Sequence, residues 1–220
     1  MEKFEVAIII PAFNESNTIT QVIKSASRYG IVIVVNDSST DDTKEKAIRA
    51  GAIVVSHSRN RGYDVALNTG FKEADSRNCF AIITFDADGQ HPPHMLKTYI
   101  DQLVVNQIDL VLGFRPCTAR FSEWVFQYYT KIKYHWNDPL CGMKGYSMKM
   151  YRDKGLFDSC NSIGTELALF GITNKYRHCE ISLPIAKRLD RPRFSSTIKS
   201  NFLIFRALYN LINISKNNFL

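Results

Sequence analysis

A chain of 220 residues with 45% hydrophobic and 22% charged residues is long enough for one domain with a sizeable core and too apolar for disorder. Its net charge of +7 suits anionic partners but does not choose among nucleotides, nucleic acids and acidic lipids. Five cysteines without a CxxC pair argue against a zinc ribbon, and the first apolar run ends at Pro11, too short to span a bilayer.

The opening shows no signal-peptide pattern, so a reducing cytosol with free thiols is expected. Val6 to Ile10 is a continuous β-branched run, as in strands buried on both faces. Ser16 is placed to cap a helix whose Ile19, Val22, Ile23 and Ala26 share one face, with Gly30 ending it. Ile31 to Val35 is a second strand. Asp41 or Asp42 caps a helix to Ala50, and Gly51 closes it. Ala52–Ser56, Phe80–Phe85 and Asp109–Leu112 read as further strands. Helices over Val65–Ala74 and around Leu96, Tyr99, Ile100 and Leu103 separate them. Five such repeats imply a parallel sheet with helices on both faces.

The second half is less regular. Phe121–Lys133 and Thr165–Phe170 read as helices, Asp138–Gly145 as a loop and Cys179–Ile185 as a strand. Phe202–Ile214 is apolar almost all round, with Arg206 inside it and Lys199 and Lys216 flanking it. It is read as a helix packed on the core; the alternative is an interfacial helix lying on a membrane.

Ligands of doubly wound sheets bind beyond the carboxyl ends of the strands. The strand ends here lead into Pro11-Ala12-Phe13-Asn14-Glu15, Asn36-Asp37-Ser38-Ser39, Arg59-Asn60-Arg61-Gly62 and Asp86-Ala87-Asp88-Gly89-Gln90-His91. In an extended chain Asp86, Asp88 and Gln90 share one side, with Ala87 on the packed side and Gly89 free to bend. Paired carboxylates repel unless a cation sits between them, and hard oxygen donors favour Mg²⁺ or Mn²⁺. Such an ion binds phosphate oxygens. There is no GxGxxG, P-loop or GxSxG motif, which argues against a dinucleotide dehydrogenase, a P-loop kinase and an α/β-hydrolase.

Six motifs, in order from Val6 to Lys199, resemble the family 2 glycosyltransferases of GT-A fold: IIIPAFNES, VNDSSTDDT, NRGYDVALNTG, FDADGQHPP, DPLCGMKGY and LPIAKRLDRPRFS. The flavour is that of the dolichyl-phosphate mannosyltransferase-like and polyprenyl-phosphate glycosyltransferase branch. The resemblance implies a Rossmann-like, mostly parallel α/β sheet with an elaborated C-terminal half. Residues 1–199 would be the catalytic domain, with 1–114 the nucleotide-sugar half and 115–199 the acceptor half, and 200–220 the apolar helix.

It implies that Pro11, Ala12, Asn14, Glu15 and Arg61 line the nucleotide-sugar pocket and that Asp37 hydrogen-bonds the base. Asp86, Asp88 and Gln90 would hold Mg²⁺ or Mn²⁺ and the diphosphate, with Asp88 catalytic. Asp138 would be the acceptor-side base, and Arg191, Arg193 and Lys199 would clamp phosphates. The implied reaction is inverting, metal-dependent transfer from a nucleoside-diphosphate sugar to a polyprenyl phosphate or a glycan hydroxyl, in cell-surface polysaccharide or glycoconjugate synthesis. Localisation would be cytoplasmic, with peripheral contact at the inner face of the membrane as an extension, and no nucleic-acid partner is expected. Asn36, Tyr63-Asp64 and Met143-Lys144 depart from the family pattern of Asp, Lys-Gly and Phe-Arg. Two other classes remain open: a phosphatase of the haloacid dehalogenase type using Asp86-x-Asp88, and a non-catalytic sugar-nucleotide-binding protein.

Overall fold

The structure is a computed structural model and describes residues 5–116, 120–184 and 197–217. The strands are β1 (Val6–Ala12), β2 (Ile31–Asn36), β3 (Ile53–Ser56), β4 (Ala81–Thr84), β5 (Leu110–Phe114), β6 (Lys144–Ser147) and β7 (His178–Ser182). The helices are α1 (Ile19–Ala26), α2 (Thr43–Arg49), α3 (Tyr63–Ser76), α4 (Met95–Ile100), α5 (Phe121–Tyr134), α6 (Met148–Lys154), α7 (Glu166–Thr173) and α8 (Thr197–Asn217). A π-helical turn, Asp101–Val105, extends α4.

The strands form one sheet in the order β3-β2-β1-β4-β6-β5-β7. β1, β2, β3 and β4 pair in parallel, as does β5 with β7. The expectation of an all-parallel set of five repeats is corrected at one point. β6 lies antiparallel between β4 and β5, so those two strands never meet. β6 is four residues long and carries a lysine and a glycine, so no apolar run announced it. Gly145, read from sequence as loop, is inside it.

Alternation along β1 divides the core. Ala7 and Ile9 face the layer built by α3, α5, α6, α7 and α8. Val6, Ile8, Ile10 and Ala12 face the layer of α1, α2 and α4. Each fully buried Ile or Val contributes about 1.5–3 kcal/mol by leaving water, which makes the β1 register costly to slip. Helix starts shift slightly from expectation. α1 begins after Thr18, because the Ser16 N–H turns to Asp41 Oδ2 (3.2 Å) and ties the first strand-end loop to the second.

Candidate active site

The carboxyl ends of β1 and β2 are laced into one rim. Asn14 adopts a left-handed conformation (φ 53°), and its side-chain oxygen accepts the Thr40 N–H at 2.8 Å. Its own N–H donates to Ser39 Oγ, and that of Glu15 donates to Thr43 Oγ1. Pro11 is half-buried, Ala12 and Glu15 are buried, and Asn14 is exposed at the lip. The rim is therefore held by side chains that the motif supplies, and a ligand would meet a preformed surface there.

Asp37 sits in a hydrogen-bond network that its motif does not show. It is buried, and Oδ1 accepts the Arg61 N–H (2.8 Å) and faces His57 Nδ1 (2.7 Å). Oδ2 accepts the Gly62 N–H at 2.8 Å. Its carboxylate thus builds the turn that starts α3 and leaves acceptor capacity only on Oδ2 for a base. Arg61 contributes its backbone to this turn and is exposed.

Past β4 the chain does not stay extended. Asp88 Oδ1 accepts the Gln90 N–H at 3.0 Å, closing a turn in which Gly89 takes φ +74°. This corrects the expectation of one extended edge, although Ala87 is buried and Gly89 bends as read from sequence. Side-chain to backbone bonding by aspartate outcompetes extension here. Asp86 lies against Gly142 on the loop before β6. A Cβ at Gly142 would stand 2.2 Å from Asp86 Oδ2. Thr84 clasps the same loop, donating to the Gly142 carbonyl (2.6 Å) and accepting the Lys144 N–H (3.1 Å).

The residues present fit a divalent cation on two observations. Asp86, Asp88 and Gln90 supply oxygen donors at one strand end. His91 Nδ1 is buried, has no hydrogen-bond partner among the described residues and lies 3.7 Å from Asp86 Oδ2. A buried orphan nitrogen facing a carboxylate is costly unless a ligand completes the site. Gly142→Ala tests the cradle. The clash falls on a flexible carboxylate end, so the melting temperature should hold while Mn²⁺ affinity drops about 10- to 100-fold, read by calorimetric titration. Unchanged affinity would separate Asp86 from the metal.

Asp138 is wholly buried, and Arg115 grips it with two side-chain bonds: Nε to Oδ2 at 2.7 Å and Nη2 to Oδ1 at 3.0 Å. The Arg115 N–H adds a third, to Oδ2. Burial raises the carboxyl pKa, but the Arg115 hydrogen bonds and charge outweigh it and hold Asp138 below the usual range. Arg115 directly follows β5, so a strand-end rule applied there would have found it. Glu166 is likewise engaged, by Lys154 Nζ (2.6 Å) and the Ser159 N–H (2.6 Å).

Two departures from the family pattern acquire places. Lys144 is buried, donates to the Gly164 carbonyl at 3.0 Å and lies over the Trp136 ring. Burial pushes its ammonium pKa down, while Cys141, Asp138, Asp86 and Asp64 pull it back. Asp64 accepts the Gly164 N–H (2.6 Å) and Ile163 N–H, and burial, then Asp158, push its pKa up to about 7. Tyr63 opens α3 and is exposed. Arg191 and Arg193 lie outside the described residues, as does the side chain of Lys199.

The family model described as glycosyl transferase family 2 matches residues 7–158, well over half of the chain. The chain belongs to that family. An uncharacterised protein of Methanocaldococcus jannaschii is 32% identical to this family 2 glycosyltransferase over 161 residues, 67% of this chain and 66% of the relative. The UDP-N-acetylglucosamine–dolichyl-phosphate N-acetylglucosaminyltransferase of Methanococcus voltae is 27% identical over 171 residues, 64% of this chain and 68% of that enzyme. This chain thus spans about two thirds of the length of these relatives. Glucosyl-3-phosphoglycerate synthase from Mycobacterium tuberculosis, crystallised with Mn²⁺, UDP and glucosyl-3-phosphoglycerate, superposes with TM-score 0.73 at 22% identity, covering 95% of this chain and 79% of that one. The same enzyme is also known with Mg²⁺ and UDP. The superposition shows a shared GT-A fold, and membership of the glycosyl transferase family 2 sets the phosphatase alternative aside.

Proposed function

We propose that this glycosyltransferase moves a sugar, with inversion, from a nucleoside-diphosphate sugar to a polyprenyl phosphate. The observation that carries the acceptor choice is the state of Asp138. A sugar hydroxyl needs a base to take its proton, whereas a phosphate monoester is already anionic at neutral pH. Both Asp138 oxygens are held by Arg115, and Glu166 is held by Lys154 and Ser159. Asp138 is therefore read as a positioning residue rather than a base, and an acceptor that needs no base suits the site.

In this reading the β1–β2 rim and Asp37 shape the nucleoside pocket, while Asp86, Asp88 and Gln90 would hold Mg²⁺ or Mn²⁺. Such a cation supplies charge neutralisation at the leaving group. An acceptor phosphate oxygen forms the new bond to the anomeric carbon as the carbon–oxygen bond to the diphosphate breaks, its electron pair leaving on the β-phosphate. Burial lowers the Lys144 pKa, and Asp86 is among the acidic groups that oppose that shift. The basic residues Arg191, Arg193 and Lys199 are assigned to the phosphates by resemblance.

The test is release of nucleoside diphosphate from a UDP-, GDP- and dTDP-sugar panel with Mn²⁺, with and without a short-chain polyprenyl phosphate. Release should need one donor, the metal and the lipid phosphate. Turnover with a glycan hydroxyl, at a rate rising through a carboxylate titration, would replace this reading with a base-assisted one.

A further inference from the structure

α5 and α8 turn an unusual amount of aromatic surface outward. On α5, Phe121, Trp124, Tyr128 and Ile132 are all more than half exposed, at spacings of three and four residues that keep them on one face. Their rings form a run: Phe121 stacks on Trp124 (6.0 Å between centroids) and Trp124 on Tyr128 (5.6 Å). On α8, Phe202, Phe205 and Tyr209 repeat the same spacing, with Phe202 66% and Tyr209 65% exposed.

The two helices lie side by side and run the same way. Ser122 bonds Asn201 near one end, and the Tyr134 hydroxyl donates to Ser215 Oγ (2.6 Å) near the other. Their inner faces, Phe126 on α5 and Ile204, Ala207, Leu208 and Leu211 on α8, join one core cluster. The packed pair thus turns apolar and aromatic residues of both helices to solvent.

Among the described residues of α5 and α8, the exposed charged side chains are all basic. Lys131, Lys133 and Arg206 are exposed. The one carboxylate of α5, Glu123, is buried towards Arg115 and Arg120. α8 has no acidic residue, and none follows Asp190 in the sequence. Two copies of this face would set cation against cation, which disfavours self-association. Aromatic rings interleaved with Lys and Arg, with no exposed carboxylate among the described residues of either helix, instead suit the boundary between acyl chains and anionic headgroups. No helix among the described residues is long and apolar enough to cross a membrane, so such contact would be in the plane of the surface.

We propose that the outer face of α5 and α8 is a membrane-contact surface that seats on a bilayer containing anionic lipid. It deepens the polyprenyl-phosphate reading, since it brings the catalytic domain to the layer where a lipid-linked acceptor resides. The test uses the full chain and vesicles with neither donor nor polyprenyl phosphate, so its failure would leave the acceptor assay untouched.

Co-sedimentation is measured with phosphatidylcholine vesicles and with vesicles of roughly one third phosphatidylglycerol; the anionic vesicles should bind about tenfold or more tightly, and salt should weaken the difference. Trp124→Glu combined with Tyr209→Glu should lose about tenfold or more of that binding while keeping its melting temperature, because both side chains are exposed. Trp124→Phe should still bind but lose the blue shift of tryptophan fluorescence, because Trp136, the other tryptophan, is buried. Equal binding by the double variant would overturn the proposal. So would absence of binding to anionic vesicles, or a wild-type dimer that the double variant converts to monomer by sedimentation, which would make the face a self-interface.

Discussion

Asp88→Asn should lower metal-dependent release of nucleoside diphosphate on the order of a thousandfold while leaving the melting temperature within a few degrees of wild type. Asparagine is the right probe because Asp88 makes a structural hydrogen bond beside its proposed metal role. Its Oδ1 accepts the Gln90 N–H that closes the turn after β4. An amide oxygen keeps that bond and removes the charge. Alanine removes both, and loss of the turn bond alone would cost about 1 kcal/mol. A matching loss of Mn²⁺ binding by calorimetry would locate the defect in the metal site. Normal turnover by Asp88→Asn with any donor would sink the metal assignment.

Arg115→Ala should destabilise the protein by about 3–5 kcal/mol, because it leaves the Asp138 carboxylate buried without its countercharge. The measurement is a denaturant midpoint. Its pH dependence identifies the cause. The Asp138 pKa is depressed in the folded protein, so its stabilising contribution is full above the ordinary value of 3.8 and is lost as pH falls through the depressed one. The gap between wild type and variant should therefore be wide at neutral pH and narrow below about pH 4. Activity should fall as well, since Asp138 anchors the loop that carries Gly142 to Asp86. A pH-independent gap, or none, would mean that the pair does not hold this loop.

The outcome for Asp138 shows what a motif conveys and what it omits. Its place in the order of motifs was legible from DPLCG, and the carboxylate does lie on the loop that meets the metal motif. Its chemical state depends on Arg115, 23 residues earlier and on another strand end. Asp37 repeats the lesson. The motif located it at the end of β2, but only the packing of β3 and α3 gave its oxygens to His57, Arg61 and Gly62. Side-chain protonation and availability are set by neighbours distant in sequence, and one chain read linearly carries no signal for them.

By itself the sequence determined the parallel βα half, because unbroken β-branched runs and helical periodicity are local and strong. It also determined that polar groups gather at the strand ends, since in this architecture connectivity alone brings those ends together. The metal motif Asp86-Ala87-Asp88 belongs to that class. Only the tertiary structure decided the insertion of β6 between β4 and β5 and the burial of Lys144 beside the acidic groups. It alone decided, too, that α5 shows its aromatic residues to the outside, since a helix with apolar residues on more than one face does not specify which face the core will take. Each of these depends on long-range pairing, where burial and electrostatics outweigh local preference.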